Sequence, residues 1–587
     1  MDTPFAHTAI PHENIDAWVE KLIDHGRFEE IALALQKTSP HQIDSHPSLL
    51  RLQANLAYHQ NDFSQAFPLI QAAQQLAVEQ ESWRVAVLCA LDEARWWQAR
   101  EKHEAARLAL DAASNLAERA EKDVALHADL ILAIGRLLPD FSQNRQAVVF
   151  CQQALKLYEQ TGDVAGQVQA LWLLSVINTY MARLTEARAQ IERALRLHIT
   201  AKLSPTIRLY LLNVSAHIYL YAGQPEAGLH IIRQDAVKLV QKFPYSKPAL
   251  YLCMAEAGLL RQQKSYQEAL AAYDRAEAIV EILQDDGYRP WLALQQSWIH
   301  LLMGESPVRI RKKLLQAGSL HYKVMERGRN MYLAVIDLLE NRWDDAEKRL
   351  DRAHQEFENS ADLLELFGVR IYQAYLYDLQ GRRGRLKETL ESALSWAEQV
   401  GVDFFPFYWH PRTVARVCVL ALRLGIRSRQ AELMIIRRLS YVAAPELIPL
   451  LKDKSIDVQQ RAQSVLAALG DDVFRMVLNG APGAHFTTIL LEHVRKGRLP
   501  VDRLADTNMR LSGDKSHPNW TRLAVFGYYA GSEMPRPEIA RILALSEGAV
   551  KKHISAIRAA FGVRGRGGRD LGRAEVQMTA KKMGMVI

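Results

Sequence analysis

A short pattern of small and apolar residues returns at nearly equal intervals over most of this chain. Each copy is centred on a small or apolar residue that follows a polar turn, and further apolar residues lie four and seven positions later. The clearest series consists of Ala66, Ala106, Ala147, Ala187, Ala227 and Ala269. Later copies centre on Ile310, Ala346 and Leu386. A period of about 40 residues indicates stacked repeats and not one compact core.

The repeat unit is predicted to be a pair of helices joined by a turn. Small residues at i and i+7 allow two helices to approach closely, and the apolar residue at i+4 fills the space between them. One pair cannot bury its apolar face alone, so neighbouring pairs stack and share a continuous core. We therefore expect an all-α fold, with a helical-repeat superhelix over residues 1–425.

These repeats resemble tetratricopeptide repeats, in the longer form found in the sensor region of MalT-type regulators. The resemblance covers about residues 15–425, and its opening segment has Gly26-Arg27-Phe28 followed by His46–Leu52. It implies a body that senses a small molecule, a peptide or a protein partner. MalT-type regulators also carry a nucleotide-binding module, but the nearest candidate here, Gly480–Thr488, lacks the lysine of a phosphate loop. We therefore expect no cofactor.

The densest aromatic run of the chain lies near the end of the repeats. Its candidate ligand or partner residues are Phe404, Phe405, Phe407, Tyr408 and Trp409. Aromatic side chains anchor many binding surfaces, so one interpretation is a ligand or partner site. The interpretation that we favour is a cap that shields the last repeat, because terminal repeats are usually atypical.

The residues after the repeats predict a different helical unit and then a connection. An apolar stretch from Pro445 to Asp453, followed by Val458, Ala462 and Leu466, resembles a HEAT repeat, which has two helices joined by a turn. We assign residues 426–496 to this HEAT-like segment. Residues 497–519 contain prolines, a glycine and many charges, and they are predicted to form a linker.

All of the net charge lies in the C-terminal segment that begins at Met534. The whole chain has 73 basic and 66 acidic residues, a net charge of +7. Residues 534–587 contain eleven basic and four acidic residues, which also gives +7, so the charges of residues 1–533 are balanced. A basic end on a neutral body is typical of a nucleic-acid-binding module attached to a region that does not bind nucleic acid.

Two helices are predicted within this basic end. Ile539 and Ala540 give the first helix an apolar face, and Ser546 is a suitable N-cap for the second. The buried stripe of the second helix is expected to contain Val550, Ile554, Ile557 and Phe561. Its opposite face is expected to carry Lys551, Lys552, Ser555 and Arg558. Such a helix fits the major groove of DNA.

The same residues resemble the LuxR/FixJ-type helix-turn-helix domain, with matches at Glu538–Ala540, Ser546–Gly548 and Gly562–Arg564. The resemblance implies a four-helix module over residues 520–587 that binds double-stranded DNA as a homodimer. It implies major-groove contacts from Lys551, Lys552 and Ser555. Positions near the DNA backbone, or roles in capping the fold, are implied for Ser546, His553, Arg564 and Arg566. The glycine- and arginine-rich segment 564–572 is either a basic arm that follows the phosphates or a disordered insertion.

Other function classes find little support in the sequence. The cysteines are far apart, which predicts buried thiols and no metal site or disulfide framework: Cys89, Cys151, Cys253 and Cys418. The sequence contains no activated-nucleophile pattern, so we do not expect an enzyme. It contains no signal peptide and no apolar stretch long enough to span a membrane, so we expect a cytoplasmic protein.

Two functions follow from this pattern. The first is a transcription regulator that binds specific DNA sequences and whose repeat body senses an effector. The alternative is a protein-binding scaffold or adaptor whose basic C-terminus docks on an acidic partner.

Overall fold

A computed structural model describes most of the chain, and every regular element among the described residues is a helix. The described residues are 15–24, 28–100, 102–120, 123–138, 143–316, 323–469, 522, 525, 526, 529, 536–542, 545–560, 575, 576 and 578. The linker and the glycine- and arginine-rich segment predicted from the sequence lie outside these residues.

Nine helix pairs in this part of the chain form tetratricopeptide-like repeats, each with a first and a second helix. Three short helices precede them: α1 (Ile15–Asp24), α2 (Phe28–Gln36) and α3 (Pro40–Ser45). The first five pairs are α4 (Pro47–His59) with α5 (Phe63–Glu79), α6 (Trp83–Ala99) with α7 (His103–Ala117), α8 (Val124–Leu137) with α9 (Asn144–Thr161), α10 (Val164–Tyr180) with α11 (Leu184–Ala201), and α12 (Pro205–Tyr221) with α13 (Pro225–His230). A π-helical turn, Ile231–Ala236, continues α13 into α14 (Val237–Lys242).

The remaining four pairs follow the same order. They are α15 (Lys247–Gln262) with α16 (Tyr266–Leu283), α17 (Arg289–Leu302) with α18 (Pro307–Gln316), α19 (Lys323–Leu339) with α20 (Trp343–Ser360), and α21 (Leu363–Leu379) with α22 (Arg383–Val400). Six of the turns inside the pairs have a left-handed residue two positions before the second helix: Asn61, Ala182, Gly223, Lys264, Asn341 and Gly381. This conformation ends the first helix by redirecting the chain.

The predicted period is reproduced by the fourth residue of each second helix. The buried residues at this position are Ala66, Ala106, Ala147, Ala187, Gly228, Ala269, Ile310, Ala346 and Leu386. The fifth copy is therefore shifted by one residue from the predicted centre, Ala227, which is half-buried. The turn before it uses Gly223 (φ 62°), so the helix starts at Pro225 and its fourth residue is Gly228.

Close packing explains why a glycine occupies this position. A Cβ atom added at Gly228 would lie 2.7 Å from both methyl carbons of Leu259, on the first helix of the next pair. Real Cβ atoms do not approach neighbours so closely. The intervals on either side, from Ala187 to Gly228 and from Gly228 to Ala269, are then equal, so the structure makes the repeat more regular than the sequence pattern suggests.

The described helices form two compact units. One contains the residues up to Val369 together with Phe404–Tyr408, and the other contains Arg370–Asp403 and the residues from Trp409 onward. α21 therefore contributes its first turns to the first unit and the rest of its length to the second. The domain boundaries expected from the sequence stay predictions.

The second unit continues after α22 with shorter helices. α23 (Pro411–Leu424) is followed by α24 (Ser428–Met434), which runs on as a π-helix and a 3₁₀ turn. Next come α25 (Ala444–Leu447), with a 3₁₀ extension to Lys452, and α26 (Ile456–Leu469). The last two described helices are α27 (Arg536–Ile542) and α28 (Glu547–Ala560).

The segment predicted to resemble a HEAT repeat has two helical stretches joined at Asp453, as expected. The first stretch is a single α-turn followed by a 3₁₀ helix, Ile448–Lys452, and is not a regular helix. Pro449 accounts for this, because it has no N–H group to continue the i to i−4 hydrogen bonds. The second stretch, α26, buries Val458, Ala462, Val465, Leu466 and Leu469. The HEAT resemblance itself stays a prediction.

Candidate functional site

The two C-terminal helices, α27 and α28, pack against each other through apolar residues. Ile539 and Ala540 on α27 are buried. The turn between the helices is closed by the Leu545 N–H, which donates to the Ala540 carbonyl oxygen at 2.9 Å. Ser546 Oγ accepts a hydrogen bond from the Ala549 N–H at 3.2 Å, which confirms the predicted N-cap of α28.

The two faces of α28 are as different as the sequence predicted. The buried face contains Val550, Ile554 and Ile557. Lys551, Lys552 and Ser555 are exposed on the opposite side of the helix. Phe561, the last residue of the predicted stripe, lies outside the described residues, as do Arg564 and Arg566.

Arg558 lies at the edge of the predicted basic face. It is half-buried, and its Nε donates a hydrogen bond of 3.1 Å to the Tyr529 hydroxyl. The helical period explains the difference, because residue 558 lies four positions after Ile554 and eight after Val550, at the edge of the buried stripe. Arg558 therefore supports the position of the helix from within the module.

Three residues that precede α27, and that the sequence pattern above did not single out, are buried. They are Val525, Phe526 and Tyr529. Their spacing at i+1 and i+4 from Val525 is the signal that could have found them. His553 is half-buried, and burial, assisted by the charges of Arg522 and Lys552, lowers its pKa. This imidazole therefore faces the module and not a fully hydrated surface.

The aromatic run at residues 404–409 is divided between the two compact units, and both sequence interpretations of it, a cap and a ligand or partner site, stay predictions. Its first five residues, Phe404–Tyr408, belong to the first compact unit, whereas the chain on both sides belongs to the second. Phe405 is fully buried, and its ring centroid lies 5.8 Å from that of Phe367 on α21. A Cβ atom at Gly368 would lie 2.9 Å from the Phe405 ring, so this glycine makes room for it.

The rest of the segment contacts first helices of several earlier repeats. The Phe407 ring lies 5.7 Å from Tyr221 on α12 and 6.3 Å from Trp291 on α17. The Tyr408 ring lies 5.1 Å from Tyr332 on α19. The segment Phe404–Tyr408 thus lies along the first helices of the repeats. Of the other predicted ligand residues, Phe404 is buried and Trp409 is half-buried and belongs to the second unit.

A buried polar network fixes this segment in place. Arg261 on α15 donates through Nη2 to the Pro406 carbonyl oxygen at 2.9 Å and through Nη1 to Gln295 Oε1 at 2.7 Å. Gln295 Nε2 in turn donates to the Tyr332 hydroxyl at 2.7 Å. Such charge-assisted bonds hold a backbone that would otherwise lose its partners on burial.

Neither a metal site nor a membrane span is found in the described part of the chain. No three His, Cys, Asp or Glu side chains among these residues are placed so that they could hold a metal ion. The helices there also lack the combination of length and apolar character that crossing a bilayer requires.

Comparisons with known proteins give similar folds at low similarity. No family model and no curated protein matches this chain. One similar solved structure is a Rap protein complexed with competence and sporulation factor, at 13% identity and a TM-score of 0.43, covering 60% of this chain and 99% of that one. Another is the APC/C hetero-tetramer Cut9–Hcn1, at 12% identity and a TM-score of 0.41, covering 96% of this chain and 95% of that one. Scores this low carry no inference about function.

Proposed function

We propose that this protein is a DNA-binding transcription regulator whose repeat body binds an effector and whose basic end binds duplex DNA as a homodimer. The observation that carries the proposal is the helix α28, which is capped by Ser546 and buried on one face. Its exposed face presents Lys551, Lys552 and Ser555. The proposal includes no catalytic activity.

The placement of the two lysines is suited to a major groove. They lie in the first half of α28, where the helix dipole also favours the negative charge of phosphate. Lysine can read guanine at its O6 and N7 atoms or neutralise a phosphate, and serine can bond to either. The neutral body adds no competing attraction for DNA, because the net charge of +7 lies in the segment 534–587.

The second candidate is a protein-binding scaffold whose basic end docks on an acidic partner. The observation that favours it is the extent of the helical repeats, which occupy most of the described chain. Stacked helical repeats offer extended surfaces to partners. The same exposed lysines of α28 would then meet carboxylates in place of phosphates.

Binding of the full-length protein to labelled duplex DNA separates the two candidates. Fluorescence anisotropy with a mixed-sequence duplex should show binding that weakens steeply as salt rises. The double variant Lys551→Glu with Lys552→Glu should weaken it by about tenfold or more and reduce the salt slope by about one per lost phosphate contact. The control Lys312→Glu with Lys387→Glu makes the same charge change at exposed positions of second helices and should bind as the parent does.

Sequence selection from a random duplex library tests the homodimer. A dimeric helix-turn-helix protein selects two related half-sites with a fixed spacing. If the Lys551/Lys552 variant binds duplexes as tightly as the parent, α28 is not the recognition helix. Salt-independent or undetectable duplex binding by the parent protein would instead favour the scaffold.

A further inference from the structure

An irregular piece of chain is buried in the first compact unit. The segment Phe404–Tyr408 contains no helix and lies between α22 and α23, whose residues belong to the second unit. All of its residues are buried except Phe407, which is half-buried. Irregular backbone usually lies at the surface, where water satisfies its polar groups, so this burial calls for an explanation.

Aromatic rings from the first helices of several repeats receive the segment. They are Tyr221 on α12, Trp291 on α17 and Tyr332 on α19. Each of them meets Phe407 or Tyr408 edge to face, with interplanar angles between 62° and 79°. Edge-to-face pairs are a favourable arrangement of aromatic rings, so these helices favour a peptide that carries aromatic side chains.

A buried arginine on α15 binds the backbone of the same segment. Arg261 is 5% exposed, and its Nη2 donates to the Pro406 carbonyl oxygen at 2.9 Å. Gln295 Oε1 orients the guanidinium by accepting from Nη1 at 2.7 Å, and Gln295 Nε2 is itself fixed by the Tyr332 hydroxyl. Every residue of a peptide has a carbonyl oxygen, so this contact recognises an extended chain and not one particular side chain.

The charge of Arg261 is not required for packing. In the described part of the chain, no carboxylate forms an ion pair with this guanidinium. Burying a cation without a counter-charge is unfavourable, and an apolar side chain of similar volume would destabilise the fold less. If the Pro406 carbonyl oxygen left, Nη2 would lose its acceptor. The side chain is therefore suited to hold a carbonyl oxygen at this place, whichever peptide supplies it.

A glycine on α19 helps to position the rings. A Cβ atom added at Gly328 would lie 2.7 Å from Cζ3 of Trp291 and 3.7 Å from the Tyr408 hydroxyl oxygen. The missing side chain lets the Trp291 ring lie against α19, beside the segment. Arg261 and the three rings together form one contact area, the Arg261 surface: Tyr221, Arg261, Trp291 and Tyr332.

We propose that the Arg261 surface is a docking site for an extended peptide, and that Phe404–Tyr408 is its resident occupant. The partner is a peptide segment of another protein with a proline between aromatic residues. One of its backbone carbonyl oxygens takes the place of that of Pro406 on Arg261. Because the resident segment lies between α22 and α23, its displacement changes the loop that leads into α23.

The use of this site by the effector of a transcription regulator rests on the proposed function, but the docking itself does not. Peptide binding is measured on the full-length protein without DNA. A failure of DNA binding therefore leaves the docking site intact, and a failure of peptide binding leaves DNA binding untouched.

The resident segment competes with any added peptide. A segment that is tethered to its own site acts at an effective concentration in the millimolar range. A free peptide of the same sequence should therefore bind poorly to the parent and well to a variant whose own segment is weakened. A natural partner displaces the segment only by adding contacts beyond these five residues.

Fluorescence anisotropy with a labelled peptide of residues 402–410 tests the docking. The double variant Phe405→Ala with Phe407→Ala should bind this peptide at least about tenfold more tightly than the parent does, because its own segment has lost two rings. Phe67→Ala removes a half-buried ring from the first repeat and is the control, which should bind as the parent does. A peptide with alanine in place of Phe405 and Phe407 should bind about tenfold more weakly.

A further substitution tests the role of the arginine. In the double variant, Arg261→Met should weaken peptide binding about tenfold or more, since a hydrogen bond from a charged donor is lost. Arg107→Met, at an exposed position of α7, is the matched control and should have no effect. Circular dichroism checks that each variant stays helical. If the double variant does not fold, Phe407→Ala alone replaces it, because that side chain is only half-buried.

Three results would overturn the proposal. They are equal peptide binding by the parent and the weakened variant, no binding to a folded weakened variant, and binding that Arg261→Met leaves unchanged. A parent dimer that dissociates when the peptide is added would assign the surface to the segment of a second copy, and would overturn its assignment to a different protein.

Discussion

The Arg558 guanidinium reaches across the C-terminal module to Tyr529, whose hydroxyl accepts a hydrogen bond of 3.1 Å from Nε. The guanidinium carbon also lies 5.9 Å from the centroid of the Tyr529 ring. Tyr529 is 4% exposed, so a residue from the preceding segment and one from α28 are joined inside the module. The Nε atom of Arg558 is therefore held toward the interior of the module.

Substitutions at this pair should change stability without changing the electrostatics of DNA binding. Tyr529→Phe keeps the ring but removes the hydroxyl acceptor, and we expect a loss of about 1 kcal/mol in the free energy of unfolding of the module. Arg558→Ala should weaken binding to all duplexes to a similar degree and leave the salt slope unchanged, because no phosphate contact is lost. A salt slope that falls in Arg558→Ala as much as in the Lys551/Lys552 variant would show that Arg558 contacts DNA.

Alanine substitutions at two glycines should change the stability of the protein in opposite directions. Gly228→Ala should destabilise the protein by about 1–3 kcal/mol, because its methyl group would overlap the Leu259 side chain. Gly384→Ala, near the start of α22, places its methyl group in open space and should raise stability by up to about 1 kcal/mol. Thermal unfolding followed by circular dichroism measures both. A neutral or stabilising Gly228→Ala would argue for the register centred on Ala227.

A buried ion pair joins the first helices of the first two repeats. Arg51 Nε and Asp92 Oδ2 are 2.7 Å apart, and both side chains are almost fully buried. Asp92→Ala would leave Arg51 buried without its counter-charge, so we expect the free energy of unfolding to fall by about 3–5 kcal/mol. The double variant Arg51→Met with Asp92→Leu should lose much less, because no uncompensated charge remains. A double variant as unstable as Asp92→Ala would mean that packing, and not the ion pair, matters here.

The same pair predicts a response to acid. Burial alone would raise the pKa of Asp92, but Arg51 and Arg95, with hydrogen bonds from Arg51 and Asn55, outweigh burial and lower it below the usual 3.8. The stability from this carboxylate is therefore present above that pH and is lost as the pH falls through the lower value of the folded state. The stability difference between the parent and Asp92→Ala, measured by urea unfolding, should shrink below about pH 4.

Glu365 predicts the opposite pH dependence. Burial, with the charge of Asp362, raises its pKa from 4.5 to about 8, although Arg261 and Arg327 act against this. Between these two values the unfolded chain releases a proton that the folded protein retains, so the parent loses stability as the pH rises. Glu365→Gln carries no such proton, and its stability relative to the parent should climb by on the order of 5 kcal/mol between pH 4.5 and 8 and then level off.

Unfolding curves over this pH range test the assignment. The charged and titratable groups around Glu365 are Asp362, Arg261, Arg327, Tyr180, Tyr221 and Tyr408. The tyrosines stay neutral over this range, because burial raises the pKa of each. Glu192→Gln, at an exposed position of α11, is the control, and its stability should vary with pH as that of the parent does. A stability difference between Glu365→Gln and the parent that does not vary with pH would show that the carboxyl group titrates normally.

Local patterns in the sequence were sufficient for the repeats and for α28. The cap at Ser546 and the stripe of Val550, Ile554 and Ile557 depend on residues within one helix, so spacing alone predicts them. Arg558 could not be placed by the same reasoning. It lies at the edge of the stripe, and its orientation depends on Tyr529, 29 residues earlier in the chain.

The sequence by itself determined that this protein is an array of helix pairs, because a small residue must recur wherever two helices meet closely. Only the tertiary structure decided which distant repeats meet. Lys247 Nζ lies 3.3 Å from the Ala99 carbonyl oxygen across 148 residues, and Asn144 Nδ2 lies 2.7 Å from the Ser360 carbonyl oxygen across 216. These contacts, like the position of Phe404–Tyr408 on earlier repeats, depend on small rotations accumulated over many pairs, which no single repeat encodes.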